Sequence, residues 1–131
     1  MWLPPQIVTA FATIVALSAC TGEGALICTD NFAFVPLTVL DAAGNPVTGL
    51  SIADTVIRTQ HSFLVPQSLS LQAGTYVILD DSFRNQIRGN AESVRVSGFN
   101  AATRFTATFT FSVAGGCHVG KVSGPDSVTV P

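Results

Sequence analysis

The alternation of residue types over residues 104–113 restricts the fold of this chain more than any other feature of its sequence. Apolar residues occupy every second position, and threonine or serine occupies each position between them. The apolar set is Phe105, Ala107, Phe109, Phe111 and Val113, and the hydroxyl set is Thr106, Thr108, Thr110 and Ser112. Because a β-strand points successive side chains to opposite faces, this period of two predicts a strand that buries phenylalanines and presents hydroxyls to water.

Other segments repeat this pattern or form short apolar runs bounded by turn residues. The predicted strands are residues 34–40, 55–65, 76–79, 92–99, 104–113, 119–122 and 128–130. Residues 76–79 are apolar throughout, which predicts a central strand covered on both faces. Pro36 predicts that residues 34–40 form an edge strand or that Pro36 lies at the strand's beginning. The sequence therefore predicts an all-β domain over residues 34–131, a two-sheet sandwich of seven or eight strands.

The first 19 residues have the organisation of an export signal. Residues 7–17 are uncharged and mostly apolar, and this run is too short to cross a hydrocarbon core of about 30 Å as a helix. The segment Leu17-Ser18-Ala19-Cys20 that follows resembles the lipobox of bacterial lipoproteins, which ends in a cysteine. The resemblance implies that residues 1–19 are a lipoprotein signal peptide and that Cys20 is the lipidated first residue after cleavage.

Lipidation at Cys20 implies a membrane anchor in the bacterial cell envelope, since several acyl chains hold a protein stably where one does not. Residues 20–33 would then form the lipidated N-terminus and tether. An uncleaved apolar segment and an ordinary secretory cleavage are the two alternatives for this part of the chain.

The chain has three cysteines, and Cys28 and Cys117 remain after Cys20 is assigned to lipid. Export places them in an oxidising compartment, where two thiols of a small domain usually pair. A Cys28–Cys117 disulfide would close a loop of about 90 residues, worth roughly 4 kcal/mol in the chain-entropy model. Free thiols are the alternative, while the absence of CxxC and HxxxH spacing disfavours a metal site.

The remaining polar residues predict turns and structural contacts. His118 follows Cys117 directly, so the two side chains point to opposite faces of a strand, and we interpret His118 as exposed or structurally hydrogen-bonded. Asp80 and Asp81 predict a turn with exposed carboxylates in preference to a Ca²⁺ site. Asp41 likewise predicts a turn. With no nucleophile elbow and no Cys/His pair beside an orienting acid, the sequence predicts no catalytic residue, metal or cofactor.

Several short motifs resemble carboxypeptidase regulatory-like domains. Residues 37–49 form an apolar run followed by Asp-Ala-Ala-Gly-Asn-Pro-Val, and residues 74–78 read Gly-Thr-Tyr-Val-Ile. Val94-Arg95-Val96, Cys117-His118-Val119 and residues 127–130 are similar to the closing half of the same domains. The resemblance spans residues 35–130 and implies a prealbumin-like, seven-stranded Greek-key sandwich without catalysis. Residues 51–71 and 100–112 depart from the family pattern, and the second segment is a candidate binding surface.

Charge limits the partners of this chain. The net charge is −2, charged residues make up 11%, and lysine and arginine form no cluster. Binding to nucleic acid through its phosphates is therefore disfavoured. We expect a non-catalytic structural or binding module that contacts envelope proteins or glycans and is held to the membrane through Cys20. The alternative is a transthyretin-like small-ligand carrier or hydrolase with a pocket between the sheets or at a dimer interface.

Overall fold

A computed structural model describes residues 28–131, which form eight β-strands and one short 3-10 helix. The strands are β1 Phe34–Asp41, β2 Ser51–Val56, β3 His61–Val65, β4 Thr75–Asp80, β5 Glu92–Phe99, β6 Arg104–Ala114, β7 His118–Ser123 and β8 Ser127–Val130, and the 3-10 helix is Asp81–Gln86. The predicted signal peptide, residues 1–19, and Cys20 lie outside the described residues. Within the described part of the chain, no helix is long and apolar enough to span a membrane.

The eight strands of residues 28–131 form two sheets. The three-stranded sheet has the order β4-β1-β8, and the five-stranded sheet has the order β3-β2-β5-β6-β7. Neighbouring strands pair antiparallel, except for β1 and β8, which are parallel. The predicted all-β sandwich of seven or eight strands is confirmed.

The core lies between the two sheets and follows the alternation of the sequence. On β6, Phe109 and Phe111 are almost fully buried, and their rings stack 5.7 Å apart. On the neighbouring β5, Val94 and Val96 face the same core and are fully buried. Burial of side chains of this size contributes about 1.5–3 kcal/mol each. The hydroxyl positions of β6 face away from the core, as the period of two predicts.

The prediction of one strand over residues 55–65 is wrong. The structure has a hairpin there, in which β2 and β3 pair antiparallel and Val56 lies opposite His61. The chain reverses over residues 57–60, where Gln60 takes a φ of 56° and its N–H donates to the carbonyl of Val56 over 2.8 Å. No glycine or proline marks this turn, so the usual sequence signal for a reversal is missing.

The predicted central position of β4 is also wrong, and of the two alternatives for Pro36 the structure excludes the edge strand and places this residue third in β1, near the strand's beginning. β4 is an edge strand and β1 is central. Pro36 is tolerated in the central strand because the pairing register shifts between Val35 and Pro36, and such irregularities accommodate a residue without an N–H.

The outer edge of β4 is covered by a side chain where a further strand would pair. The Gln67 amide donates to the carbonyl of Val77 over 2.8 Å and accepts from the N–H of Val77 over 2.9 Å. The Gln67 side chain thus satisfies both backbone groups of Val77, which an edge strand would otherwise leave open. Every residue from Tyr76 to Asp80 is buried, although β4 is an edge strand.

Candidate functional site

The described N-terminal segment is joined covalently to the sandwich. Cys28 and Cys117 form a disulfide with a Cα–Cα distance of 5.3 Å across 89 positions of sequence. Cys117 immediately precedes β7, so the bond fixes the start of the described chain to the edge of the five-stranded sheet. This pairing agrees with the one the cysteine count predicts.

Asp81 is the second link between this segment and the sandwich. Its Oδ2 accepts from the N–H of Ala33 over 2.9 Å, and its Oδ1 accepts from the N–H of Val119 over 2.8 Å. Oδ2 also lies 2.6 Å from Nδ1 of His118. One carboxylate therefore joins the N-terminal segment, the 3-10 helix and β7.

Burial alone would raise the pKa of Asp81. The hydrogen bonds from Ala33, His118 and Val119, together with the charge of His118 in its protonated form, act in the opposite direction and hold the pKa of Asp81 below its usual value. The carboxylate therefore stays ionised, and its bonds to backbone N–H groups are charge-assisted.

His118 continues the contact outward to Thr29. Nε2 of His118 lies 2.8 Å from the Thr29 hydroxyl. In the neutral imidazole with its proton on Nδ1, which faces the Asp81 carboxylate, Nε2 would accept from this hydroxyl. The order carboxylate–imidazole–hydroxyl is the order found in serine hydrolases. The interpretation of His118 as a hydrogen-bonded structural residue agrees with these contacts.

The expectation that Asp80 and Asp81 are exposed turn carboxylates is wrong. Asp80 is buried at the N-terminus of the 3-10 helix, where its Oδ1 accepts from the N–H of Ser82 over 2.8 Å. Asp81 is 11% exposed and takes the three contacts described above. The sequence predicted a local turn. Ala33 and Val119 lie far from Asp81 in the chain, so no local sequence pattern predicts their contacts with it.

Asp41 forms the predicted turn. Its Oδ1 accepts from the N–H groups of Ala43 and Asn45, each over 2.9 Å. The hydrogen bond from the Asn45 N–H is the main reason that the pKa of Asp41 is lowered. The side chain thus closes the β1–β2 connection.

Asp54 is a buried carboxyl group that the sequence analysis did not single out. It lies on β2 between Phe63 of β3 and Val96 of β5, is fully buried, and neither carboxyl oxygen has a hydrogen-bond partner within residues 28–131. Burial raises the pKa of Asp54 to about 8. The signal was available, because the alternation Ile52, Asp54, Val56 places all three residues on the inner face.

Glu92 is also buried, but its carboxylate is well paired. Arg58 donates to both of its oxygens over 3.2 and 3.3 Å, and the N–H of Arg88 donates to Oε2 over 3.2 Å. These contacts connect the β2–β3 turn to the start of β5. Burial of this charge is therefore compensated, in contrast to Asp54.

A cavity of about 400 Å³ opens at the side of the sandwich where β2 begins and β3 ends. Its lining is mostly apolar and consists of Leu50, Ser51, Ile52, Leu64, Val65, Pro66 and Gln67. The volume suits a small organic molecule. No group of three or more metal-ligating side chains occurs within residues 28–131.

The outer face of the five-stranded sheet carries a field of small hydroxyl side chains. Ser93 and Ser97 of β5 lie opposite Thr110 and Thr106 of β6, and Arg95 lies between them, opposite Thr108. β6 is enclosed by β5 and β7, so its hydroxyl row is not the edge strand that strand addition would require. The exposed groups are therefore available to a ligand that lies flat on the sheet.

Comparisons with known proteins give no match: no family model, no curated protein and no solved structure resembles this chain closely enough to assign it to a family.

Proposed function

We propose that this chain is a bacterial envelope lipoprotein whose β-sandwich acts as a non-catalytic structural or binding module. The observation that carries the proposal is the junction at the beginning of the described chain. The Cys28–Cys117 disulfide begins eight positions after Cys20 and fixes the incoming chain to β7. Few residues would then separate the lipid from the folded domain.

The junction suits an anchored domain for a mechanical reason. Force applied through residues 20–27 would reach the disulfide first and pass to β7, so the N-terminal segment would not peel away from the sandwich. The contacts of Asp81 with Ala33 and His118 add non-covalent links at the same place. Such an arrangement suits a protein that is held at its N-terminus.

The test is the chemical state and location of the full chain expressed in a bacterial host with a lipoprotein pathway. We expect metabolic labelling with a fatty acid, a mass increase on Cys20 and recovery in the membrane fraction. Cys20→Ala should abolish all three, whereas the matched double variant Cys28→Ala/Cys117→Ala should keep the label. Equal labelling of wild type and Cys20→Ala, or no labelling of either, would refute the lipoprotein assignment.

A second function, hydrolysis of esters, is favoured by one specific observation. The hydrogen-bonded order Asp81, His118, Thr29 matches an acid–base–nucleophile arrangement. In such a reaction Nε2 of His118 would take the proton of the Thr29 hydroxyl as its oxygen attacks the carbonyl carbon, and Asp81 would stabilise the resulting imidazolium. The imidazolium would then protonate the alcohol as the ester C–O bond breaks, and water would hydrolyse the acyl-threonine to release the acid and restore the Thr29 hydroxyl. The same three residues also explain the attachment of the N-terminal segment, which is the simpler role.

Hydrolysis of p-nitrophenyl acetate by the full chain separates the two functions. A hydrolase should lose turnover in Thr29→Ala and retain part of it in Thr29→Ser, while the control Thr59→Ala, on the exposed β2–β3 turn, should match wild type. A non-catalytic module should give the same background rate in all four proteins.

A further inference from the structure

We propose that the outer face of the β5–β6 hairpin binds a polysaccharide that carries carboxylate groups, with Arg95 as the central contact. This inference rests on the proposed function of a binding module and names its ligand class. The first observation is that Arg95 is exposed near the middle of the five-stranded sheet, between Thr55 of β2 and Thr108 of β6.

The guanidinium of Arg95 is available to a ligand. Within residues 28–131 the ion pairs use Arg58 and Arg88 on Glu92, His118 on Asp81, and Lys121 on Asp126, and none includes Arg95. The carboxylates of β2 and β5, Asp54 and Glu92, belong to the buried face. The outer face of these strands therefore carries positive charge without an acidic side chain of its own, which favours an anionic partner.

The side chains around Arg95 suit sugar hydroxyls. Ser93, Ser97, Thr106 and Thr108 surround it on β5 and β6, and hydroxyls both donate and accept hydrogen bonds. Outward side chains are spaced about 6.7 Å along a strand and about 4.8 Å between strands. A flat field of this kind offers repeated hydrogen bonds to an extended polymer, and the guanidinium fork matches a carboxylate.

A second cation lies on the same face at the end of the hairpin. Arg104 pairs with Phe99, and its guanidinium lies 5.7 Å from the centre of that ring. Arg104 is four residues from Thr108, the partner of Arg95, so the two guanidinium-bearing positions are separated by about 13 Å along the strands. Two separated cations favour a polymer with repeated carboxylates over a single small acid.

The low density of positive charge on this face of the sheet favours a carboxylated polysaccharide over other polyanions. Nucleic acids and anionic membranes are bound by clusters of several lysines and arginines. The outer face of β5 and β6 presents two cations, Arg95 and Arg104, among hydroxyls and the half-buried ring of Phe99. A glycan supplies the matching mixture, since most of its groups are neutral hydroxyls and its carboxylates are spaced.

The experiment measures binding of the full chain in detergent to immobilised polygalacturonate, with neutral dextran as the uncharged comparison. We expect retention on polygalacturonate and a dissociation constant about tenfold higher for Arg95→Gln, which removes one charge-assisted contact. Thr108→Val should weaken binding about two- to threefold. The matched control Arg84→Gln, in the 3-10 helix, should bind as wild type does.

Several outcomes would overturn the inference. These are equal binding by Arg95→Gln and Arg84→Gln, equal retention on dextran, and tighter Arg95-dependent binding to phosphatidylglycerol vesicles or to duplex DNA. The Cys20→Ala variant separates the two proposals. It should lose the fatty-acid label but still bind polygalacturonate, because the loss of the lipid leaves the outer face of β5 and β6 intact. Fatty-acid labelling of Cys20 without polygalacturonate binding would refute the ligand class alone.

Discussion

Two carboxyl groups, Asp54 in the centre of the sandwich and Asp81 at its N-terminal junction, have opposite environments. Asp54 is fully buried, and neither of its oxygens has a partner within residues 28–131. Asp81 lies nearer the surface, with a side chain 11% exposed, and it accepts from two backbone N–H groups and contacts His118. Burial therefore raises the pKa of Asp54 to about 8, while hydrogen bonds lower the pKa of Asp81 despite its burial.

The difference teaches that depth and hydrogen bonding together decide the charge of an acid inside a protein: Asp54 is deep and has no hydrogen-bond partner within residues 28–131, whereas Asp81 is shallower and well bonded. Asp54 is protonated and neutral in the folded protein below about pH 8. Its ionised form destabilises the folded state, because a buried charge without a partner is costly. Asp81 is ionised, and its negative charge strengthens the hydrogen bonds that join the N-terminal segment to the sandwich. The two groups must consequently give this protein opposite dependences of stability on pH.

The largest expected effect is at Asp54. The folded state keeps this proton up to about pH 8, whereas the unfolded chain releases it near pH 3.8. The folded state thus binds more protons between these values, so the free energy of unfolding should fall as pH rises, by a total of about 5 kcal/mol. Asp54→Asn should remove this fall, measured by urea unfolding from pH 4 to 8.5.

A matched control for that experiment is Asp30→Asn, at an exposed position. It should keep the decline of the wild type. Asp54→Val should in addition raise the free energy of unfolding at pH 8, because an apolar residue suits the inner face of β2. A flat wild-type profile between pH 4 and 8 would show that Asp54 has a hydrogen-bonding partner after all.

The next effect tests the covalent part of the junction. Cys28→Ala/Cys117→Ala should lower the free energy of unfolding by about 4 kcal/mol, because the unfolded chain regains the entropy of a long loop. Reduction of the wild type should produce a similar loss in the same urea titration. If the double variant is as stable as the oxidised wild type, the junction contributes nothing through the disulfide.

The charged part of the junction should contribute less. Asp81→Asn removes the charge that Ala33, His118 and Val119 contact, and we expect a loss of about 2–3 kcal/mol at pH 7. Because the folded-state pKa of Asp81 is lowered, its contribution is present above pH 3.8 and is lost as pH falls through the folded value. The loss caused by Asp81→Asn should therefore shrink in acid.

Asp41→Asn is the control for this second carboxylate. Asp41 also has a lowered pKa, but it is solvent-exposed and closes a local turn, so its substitution should change the unfolding midpoint only slightly. Equal losses for Asp41→Asn and Asp81→Asn would remove the distinction between a local turn and a long-range link.

The smallest effect is expected at Thr29. Thr29→Val breaks the exposed hydrogen bond to His118 and should cost about 0.5 kcal/mol, read from the midpoint of thermal unfolding. A comparison of Thr29→Val with Asp81→Asn shows whether the contribution to stability decreases along the contacts from Asp81 through His118 to Thr29. A loss as large as that of Asp81→Asn would mean that Thr29 and Asp81 act as one cooperative network.

Much of the sandwich was predictable because burial there follows local alternation. The bounds predicted for β5 match the observed Glu92–Phe99, and β6 differs by a single residue at its end. The β2–β3 turn was missed because it lacks glycine and proline, and its reversal depends on Gln60 in the left-handed region. The apolar content of a strand likewise does not reveal whether the strand lies at the centre or the edge of its sheet, as the edge position of β4 demonstrates.

The candidate sites divide in the same way. The hydroxyl row of β6 was visible from spacing alone, and Asp54 could have been found by the same count. The contacts of Asp81 with Ala33 and Val119 join residues 48 and 38 positions away and depend on the complete fold. Chemistry that a single strand carries can be read from sequence, whereas chemistry assembled between strands requires the tertiary structure.

The parallel pairing of β1 with β8 has a consequence for the order of folding. Thr38 is paired with Ser127, so the central strand of the smaller sheet acquires its second neighbour only from the most distant part of the described chain. Closing so long a loop is slow, and the contact forms late. A polypeptide that crosses a membrane N-terminus first would therefore emerge incomplete, with one side of β1 vacant until residues 127–130 have arrived. For the exported protein proposed above, the smaller sheet would therefore be completed only after translocation.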